Sequence, residues 1–203
     1  MMNKKMKRVK EGFLLMASIM VICSSCHRPE YSQNYVSSDT GNFEQYKKEA
    51  SNRPSPPARA SRQVGGAEVF ITYSQPSVKG RVIWGDLVKY DKIWRTGANE
   101  ATVFTTDADI QIAGQTIKTG NYALYTIPSE GQWEIILNTK YDVWGAYDYD
   151  KTLDVLRFSV VPTRVGNLQE KMLFDISKEG VVSFSWEYLR FTFPVENIPV
   201  TAE

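Results

Sequence analysis

The chain has 203 residues with 24 basic and 23 acidic side chains, and 42% of its residues are hydrophobic. Without residues 1–25, which carry five of the basic side chains and one of the acidic ones, the net charge is near −3. Nucleic-acid binding depends on a basic surface, so this mildly acidic chain is expected to have no nucleic-acid partner.

The N-terminus has the three parts of a secretory signal peptide. Residues 1–25 comprise a basic start, an apolar run from Phe13 to Ile22 and two small residues before Cys26. The apolar run is shorter than the roughly 20 residues that span a bilayer. Small residues directly before a cysteine resemble a bacterial lipobox, which predicts that Cys26 is lipidated, for example with palmitate. An uncleaved membrane anchor and secretion with a Cys23–Cys26 disulfide are the alternatives.

A lipidated Cys26 would anchor the protein in a bacterial cell envelope, because several acyl chains together bind a membrane firmly. No acidic cluster follows Cys26, so we expect the protein to face the periplasm. Residues 26–64 are rich in Ser, Asn, Pro and Arg, a composition that predicts a disordered tether. A short helix over residues 43–50, capped by Asn42, is compatible with this tether.

Residues 65–203 alternate between β-branched or aromatic residues and polar ones, which is typical of strands with one buried face. The clearest runs are Val69, Ile71 and Tyr73; Trp133, Ile135 and Leu137; and Val182, Phe184 and Trp186. Turns with glycine at 128–131 and 177–180 favour antiparallel neighbours. The pattern predicts an all-β fold, a single jelly-roll-like antiparallel β-sandwich, with a closed barrel as the alternative. Trp133 and Trp186 are predicted to lie in its core.

Two motifs lie between the first and second of these runs. They read PSVKGR from residue 76 and IWRTGANEAT from residue 93. Together they resemble the signature of a bacterial family known as domain of unknown function 2911, and the resemblance extends from about Ala67 to the C-terminal strands. It implies an envelope protein with one β domain, and it implies no reaction.

The predicted domain contains neither histidine nor cysteine. His27 is the only histidine of the chain, and the two cysteines, Cys23 and Cys26, precede it. This composition excludes a Ser-His-Asp triad, a Cys-His nucleophile, a thiol redox site and a Cys/His zinc site from the domain. We expect no cofactor and no metal.

The first candidate site combines charged, amide and indole side chains within residues 81–100. These are Arg81, Trp84, Trp94, Arg95, Asn99 and Glu100. Arginine supplies a planar fork of donors, glutamate accepts, asparagine does both, and indole rings offer flat walls. Such a set suits a polar ligand, for example a sugar or a carboxylate. The alternative is structural, with Arg–Glu pairs and buried tryptophans holding an irregular connection in place.

The second candidate site is the aromatic and acidic stretch 141–150, with Trp144, Tyr147 and Asp148 as the predicted contacts. Aromatic faces stack on sugar rings and carboxylates accept hydroxyl donors, so the stretch predicts a glycan-binding loop. Calcium binding by its aspartates is an alternative, although their spacing matches no calcium loop. An ordinary surface loop is another.

Three functions are compatible with these features. The leading hypothesis is a lipid-anchored envelope protein that binds a glycan or a partner protein without catalysis. The second is a histidine-free, glycosidase-like hydrolase that uses Glu100 with Asp86, Asp148 or Asp150 as acid and base. The third is a structural accessory subunit, which a large exposed apolar patch would favour.

Overall fold

The structure is a computed structural model that describes residues 40–198. The predicted signal peptide, Cys26 and the first part of the predicted tether lie outside these residues. The elements, in chain order, are α1 (Thr40–Glu49), β1 (Pro57–Val64), β2 (Ala67–Ser74), β3 (Val103–Thr106), β4 (Ile110–Ile112), β5 (Gln115–Ile117), β6 (Gly120–Ile127), β7 (Trp133–Asn138), β8 (Asp154–Val160), β9 (Thr163–Ile176), β10 (Val181–Pro194) and β11 (Glu196–Asn197).

The main sheet has six antiparallel strands in the order β1-β2-β3-β6-β7-β8. Its first hairpin turns at Gly65 and Gly66, whose φ angles are 55° and 98°. A two-residue turn with positive φ at both positions matches the twist of the flanking strands, and it pairs Val64 with Ala67. The turn therefore sets the register along the whole length of β1.

The second layer consists of two smaller antiparallel sheets, one formed by β9 and β10 and the other by β11, β4 and β5. Their inward side chains join those of the main sheet in one core cluster. The peptide N–H of Phe174 on β9 donates to the Tyr73 hydroxyl on β2 at 3.1 Å, which links the two layers. The predicted antiparallel β-sandwich is confirmed. The barrel alternative is wrong, because β1 and β8 end the main sheet without pairing to each other.

The core is dominated by aromatic side chains. Trp133 and Trp186 are both 1% exposed, which confirms their predicted place in the core. Phe184 stacks on Phe191 with ring centroids 4.7 Å apart. Because each large aromatic side chain buries 150–250 Å², a few such side chains account for much of the burial between the layers.

The N-terminal part of the domain starts earlier than the composition predicts. Residues 57–64, assigned to the tether, form β1, and α1 begins at Thr40, so Asn42 lies within the helix instead of capping it. The guanidinium of Arg59 lies 4.1 Å from the ring centre of Phe43 and 4.7 Å from that of Phe70, which fastens α1 to the outer face of the main sheet. β1 escapes prediction because it is an edge strand with few apolar residues.

A long connection between β2 and β3, residues 75–102, carries the first predicted site. Outside helices and strands, a backbone needs other hydrogen-bond partners, and this connection finds them on both layers. Val78 N donates to Glu170 O at 2.8 Å, and Trp94 N donates to Thr126 O at 2.8 Å. Within residues 40–198, no helix has the length and apolar character needed to cross a membrane.

Candidate functional site

A pocket of about 220 Å³ opens between the 75–102 connection and β10. Trp94 and Trp186 contribute its aromatic wall, and Arg81 and Arg95 contribute its two cations. Other parts of the wall come from Ser55, Pro76, Leu87, Val88, Gly97 and Ala98. The pocket thus brings together three of the residues predicted from the first motif region, namely Arg81, Trp94 and Arg95.

The aromatic wall belongs to a cluster of four tryptophans. The rings of Trp94 and Trp186 are nearly parallel, at 18°, with centroids 5.9 Å apart. Trp84 lies behind them, 5.7 Å from Trp186 and 4.7 Å from Trp133. Trp84 is outside the pocket lining and packs against the wall from the core side.

The backbone around Arg95 is held firmly. Trp94 exchanges two backbone hydrogen bonds with Thr126, and the indole Nε1 of Trp94 donates to Gly97 O at 3.1 Å. A β-carbon added to Gly97 would lie 2.9 Å from Thr102 Oγ1, too close for any residue larger than glycine to fit without movement. The backbone position of Arg95 is therefore fixed by its neighbours.

The guanidinium of Arg95 is half-buried and makes no hydrogen bond or ion pair with residues 40–198. Burial lowers the pKa of Arg95, while Tyr147 and Glu100 act in the opposite direction. Withdrawing a cation from water without a paired acceptor is unfavourable. The pocket therefore contains a positive charge that the described part of the protein does not neutralise.

The second pocket cation, Arg81, is bound to its own connection. Its Nε donates to Val78 O at 3.1 Å and its Nη2 donates to Ser77 O at 2.5 Å. Both acceptors are neutral carbonyl oxygens, so the charge of Arg81 also remains without a carboxylate partner among residues 40–198. The structural alternative predicts an Arg–Glu pair here, whereas Arg81 is held by backbone carbonyls.

Three buried side-chain atoms have no hydrogen-bond partner among residues 40–198, and all three are donors in this region: Arg95 Nε, Trp84 Nε1 and Trp186 Nε1. Buried donors are usually paired, and an unpaired one calls for an explanation. Trp186 was predicted as core alone, and its place in the pocket could not be read from its strand pattern. Two of these donors, Arg95 Nε and Trp186 Nε1, belong to residues that line the pocket, and the third belongs to Trp84 behind it.

Glu100 faces away from the pocket, into a polar cluster under α1. Its Oε1 pairs with Arg53 Nη1 at 2.6 Å, and its Oε2 accepts from Ser74 Oγ at 3.3 Å. The side chain is only 3% exposed. Burial and then the Glu100 charge raise the pKa of the neighbouring Tyr46. With both oxygens engaged under the surface, Glu100 does not present an oxygen to a substrate in this structure.

Asn99 also serves the fold. Its Nδ2 donates to Ser55 O at 3.0 Å and to Ser74 Oγ at 3.2 Å, and its φ is 57°. Asparagine is among the few residues that tolerate this conformation. Since Ser55 lines the pocket, Asn99 positions the pocket wall without contacting its interior. Arg53 and Ser55 were missed from the sequence because they fall in the stretch assigned to the tether.

The second predicted stretch lies against the first. Gly145 N donates to Asn99 O at 3.1 Å, and Ala101 N donates to Val143 O at 3.0 Å. Trp144 is 39% exposed and Tyr147 is 85% exposed, and neither they nor the exposed Asp148 line the pocket. The structure thus joins the two stretches through backbone contacts while leaving these three side chains on a neighbouring surface.

The base of this loop is closed by a network around Arg157. Arg157 donates to Asp154 Oδ2 at 2.7 Å, to Glu134 Oε2 at 2.7 Å and to the Tyr149 hydroxyl. Asp150 caps a short 3₁₀ turn by accepting from Thr152 N at 2.9 Å. Within residues 40–198, no group of three or more His, Cys, Asp or Glu side chains is arranged to hold a metal ion.

Comparison with protein-family models gives a match over residues 55–195 to the family described as protein of unknown function DUF2911. The chain belongs to this family. No curated protein and no solved structure matches the chain.

The region matched to DUF2911 contains the pocket but not all the residues around Glu100. All the residues that line the pocket, from Ser55 to Trp186, fall within the matched region. Arg53 and Tyr46, which surround Glu100, precede it. The pocket is therefore built from the DUF2911 region alone, whereas the carboxylate of Glu100 is neutralised by a segment in front of it.

Proposed function

We propose that this protein is a lipid-anchored binding module of the cell envelope and that its pocket holds a small acidic molecule. The anchor rests on the signal peptide pattern and on Cys26, and the periplasmic side rests on the residues after Cys26. The binding role rests on the pocket. Ligands of this class include carboxylic acids and the acidic sugars of envelope glycans. The proposal thus keeps the glycan hypothesis but restricts it to acidic sugars.

One observation carries the proposal: a half-buried guanidinium, that of Arg95, lines a pocket and has no acceptor among residues 40–198. A carboxylate would supply two acceptor oxygens in the planar arrangement that a guanidinium fork binds best. Arg81 adds a second positive charge on the same wall. Two arginines and no carboxylate line the pocket, so it favours an anion over a neutral or cationic ligand.

The size and shape of the pocket limit the size of the ligand and the position of its ring. About 220 Å³ is below the 300–1,000 Å³ of pockets for drug-sized ligands, so it suits a molecule with a single ring. Trp94 and Trp186 already stack on each other, so a ring would lie against their shared edge instead of between them. A one-ring carboxylate meets both requirements.

The test is binding of two acids and of their neutral amides to the full-length protein in detergent. The acids are D-glucuronate and benzoate, and the matched amides are glucuronamide and benzamide. Calorimetric titration gives the affinity, and thermal unfolding gives an independent measure, because a ligand at 100 times its Kd raises the unfolding free energy by about 2.7 kcal/mol. We expect at least one acid to bind and its amide to bind at least tenfold more weakly.

Three variants locate the site. Arg95→Met removes the charge-assisted hydrogen bonds and is expected to weaken binding by about 10- to 100-fold. Arg164→Met makes the same chemical change at an exposed arginine on β9 and should leave affinity unchanged. Tyr147→Ala tests whether the neighbouring loop joins the site, and we expect a change of less than threefold. Absence of binding by both acids, or equal binding of acids and amides, would refute the proposal.

Localisation has its own measurement. Mass spectrometry of the mature N-terminus is expected to find an acylated Cys26 as the first residue. An unmodified Cys26 would remove the lipid anchor from the proposal and leave the pocket assignment unaffected.

A further inference from the structure

Glu100 lies near two arginines and forms an ion pair with only one of them. Its Oε1 is paired with Arg53 at 2.6 Å, whereas Arg95 has no carboxylate partner among residues 40–198. Arg95 is nevertheless close: its Nη1 would lie 3.9 Å from a β-carbon on Gly145, and the preceding residue, Trp144, pairs with Glu100 in an isolated β-bridge. The charge of Glu100 also acts to raise the pKa of Arg95. Glu100 could pair with either arginine, and in this structure it pairs with Arg53.

We propose that Arg53 is a positioning residue for the pocket, because by neutralising Glu100 it keeps the Arg95 guanidinium available to an anionic ligand. The inference rests on the proposed function and extends it with a residue that does not line the pocket. Arg53 precedes the DUF2911 match, so the segment in front of the domain tunes the ligand site inside it.

The physical basis is the cost of an unpaired buried charge. Glu100 is 3% exposed, and attraction between charges strengthens as the effective dielectric constant falls. Without Arg53, the carboxylate of Glu100 would be left with the hydroxyls of Ser74 and Tyr46 and would attract Arg95, on which its charge already acts. A paired Arg95 no longer offers its charge to a ligand, and the Glu100 charge would also repel an anion directly.

Arg53 also has a structural link to the pocket, which the test must separate from the electrostatic one. Ser55 follows it by two residues, lines the pocket and accepts from Asn99 Nδ2. If Arg53 only held this wall in place, removing the charge of Glu100 would not repair its loss. If Arg53 acts by neutralising Glu100, removing that charge would make Arg53 dispensable.

The experiment is a double-mutant cycle measured on the full-length protein with D-glucuronate and benzoate as probes. We expect Arg53→Met to weaken binding of the acid at least tenfold and Arg53→Lys, which keeps the charge, to stay within threefold of the wild type. Glu100→Gln should bind as tightly as the wild type or more tightly. The Arg53→Met/Glu100→Gln variant should return to within threefold of Glu100→Gln.

An unchanged affinity in Arg53→Met would overturn the inference, and so would a double variant as weak as Arg53→Met. A ligand-free readout separates this failure from failure of the proposed function. In NMR of ¹⁵N-arginine-labelled protein, with Arg95 assigned through Arg95→Lys, the Nη signals should be averaged in the wild type and distinct in Arg53→Met. If they stay averaged, the inference fails whether or not either acid binds.

Discussion

Arg95 and Arg157 lie on either side of the same stretch, residues 141–150, and their surroundings are opposite. Arg157 donates to two carboxylates and one tyrosine hydroxyl, and the side chain of Asp154 under it is 6% exposed. Arg95 is half-buried, lines the pocket and has no acceptor among residues 40–198. Arg157 is paired within the fold, whereas the guanidinium of Arg95 has no acceptor among residues 40–198.

The difference separates two reasons for which a protein keeps a half-buried arginine. A paired arginine contributes to stability through its partners, so its removal harms the fold. An unpaired arginine lowers stability in the absence of a ligand and gains its partner on binding, so its removal harms binding. The same substitution should therefore lower stability when it is made at Arg157 and lower ligand affinity when it is made at Arg95.

The largest expected effect is at Arg157. Arg157→Met would leave the carboxylate of Asp154 without its cation, although Asn138 Nδ2 still donates to it at 2.7 Å. We expect the free energy of unfolding to fall by about 2–3 kcal/mol, as measured by urea denaturation. Arg164→Met, at an exposed position on β9, serves as the control and should change it by less than about 0.5 kcal/mol. A loss that small at Arg157 would remove the contrast between the two arginines.

A smaller effect of opposite sign is expected at Arg95. Arg95→Met removes a charge that is withdrawn from water without a partner, so we expect the free energy of unfolding to rise by about 1 kcal/mol in the absence of ligand. The same urea denaturation measures it, and Arg95→Lys should change stability less because the charge remains. A loss of 2 kcal/mol or more would show that Arg95 supports the fold in the way Arg157 does, which is the structural alternative for the first motif region.

The smallest effect concerns pH and the Arg157 network. Burial, followed by the hydrogen bond to Asp154, raises the pKa of Tyr149 to about 12, compared with 10.0 for a free tyrosine. Between these values the unfolded chain has lost this proton while the folded protein retains it, so stability falls as pH rises. We expect Tyr149→Phe to lose less stability than the wild type between pH 10 and 12. Parallel urea-denaturation profiles for the two proteins would contradict this.

The sequence predicts the layers of the fold better than their edges. Strands such as β9 and β10 bury one face against a partner layer along part of their length, so their alternating residues predict them directly. β1 has the sequence PARASRQV, and a turn and one neighbouring strand fix it instead of a hydrophobic pattern. The hydrophobic pattern therefore predicts a domain that starts at residue 65, eight residues after β1 begins.

The candidate site was predictable where it is local in sequence. Trp94 and Arg95 are adjacent, and one connection carries them with Arg81, so proximity in the chain indicated proximity in space. Glu100 lies in the same motif but turns toward Arg53, which is 47 residues away in the sequence. No periodicity links two residues at that separation, so only the fold could reveal that Glu100 belongs to a different cluster.

The tryptophan cluster behind the pocket also has an optical consequence. Four of the five tryptophans, Trp84, Trp94, Trp133 and Trp186, form a connected group in which neighbouring ring centroids lie between 4.7 and 5.9 Å apart. Indole transitions at such distances couple, so the folded protein should show a strong ultraviolet circular dichroism couplet that its unfolded chain lacks. Trp94 and Trp186 of this group line the pocket, so the intensity of this couplet should change when the geometry of the pocket wall changes.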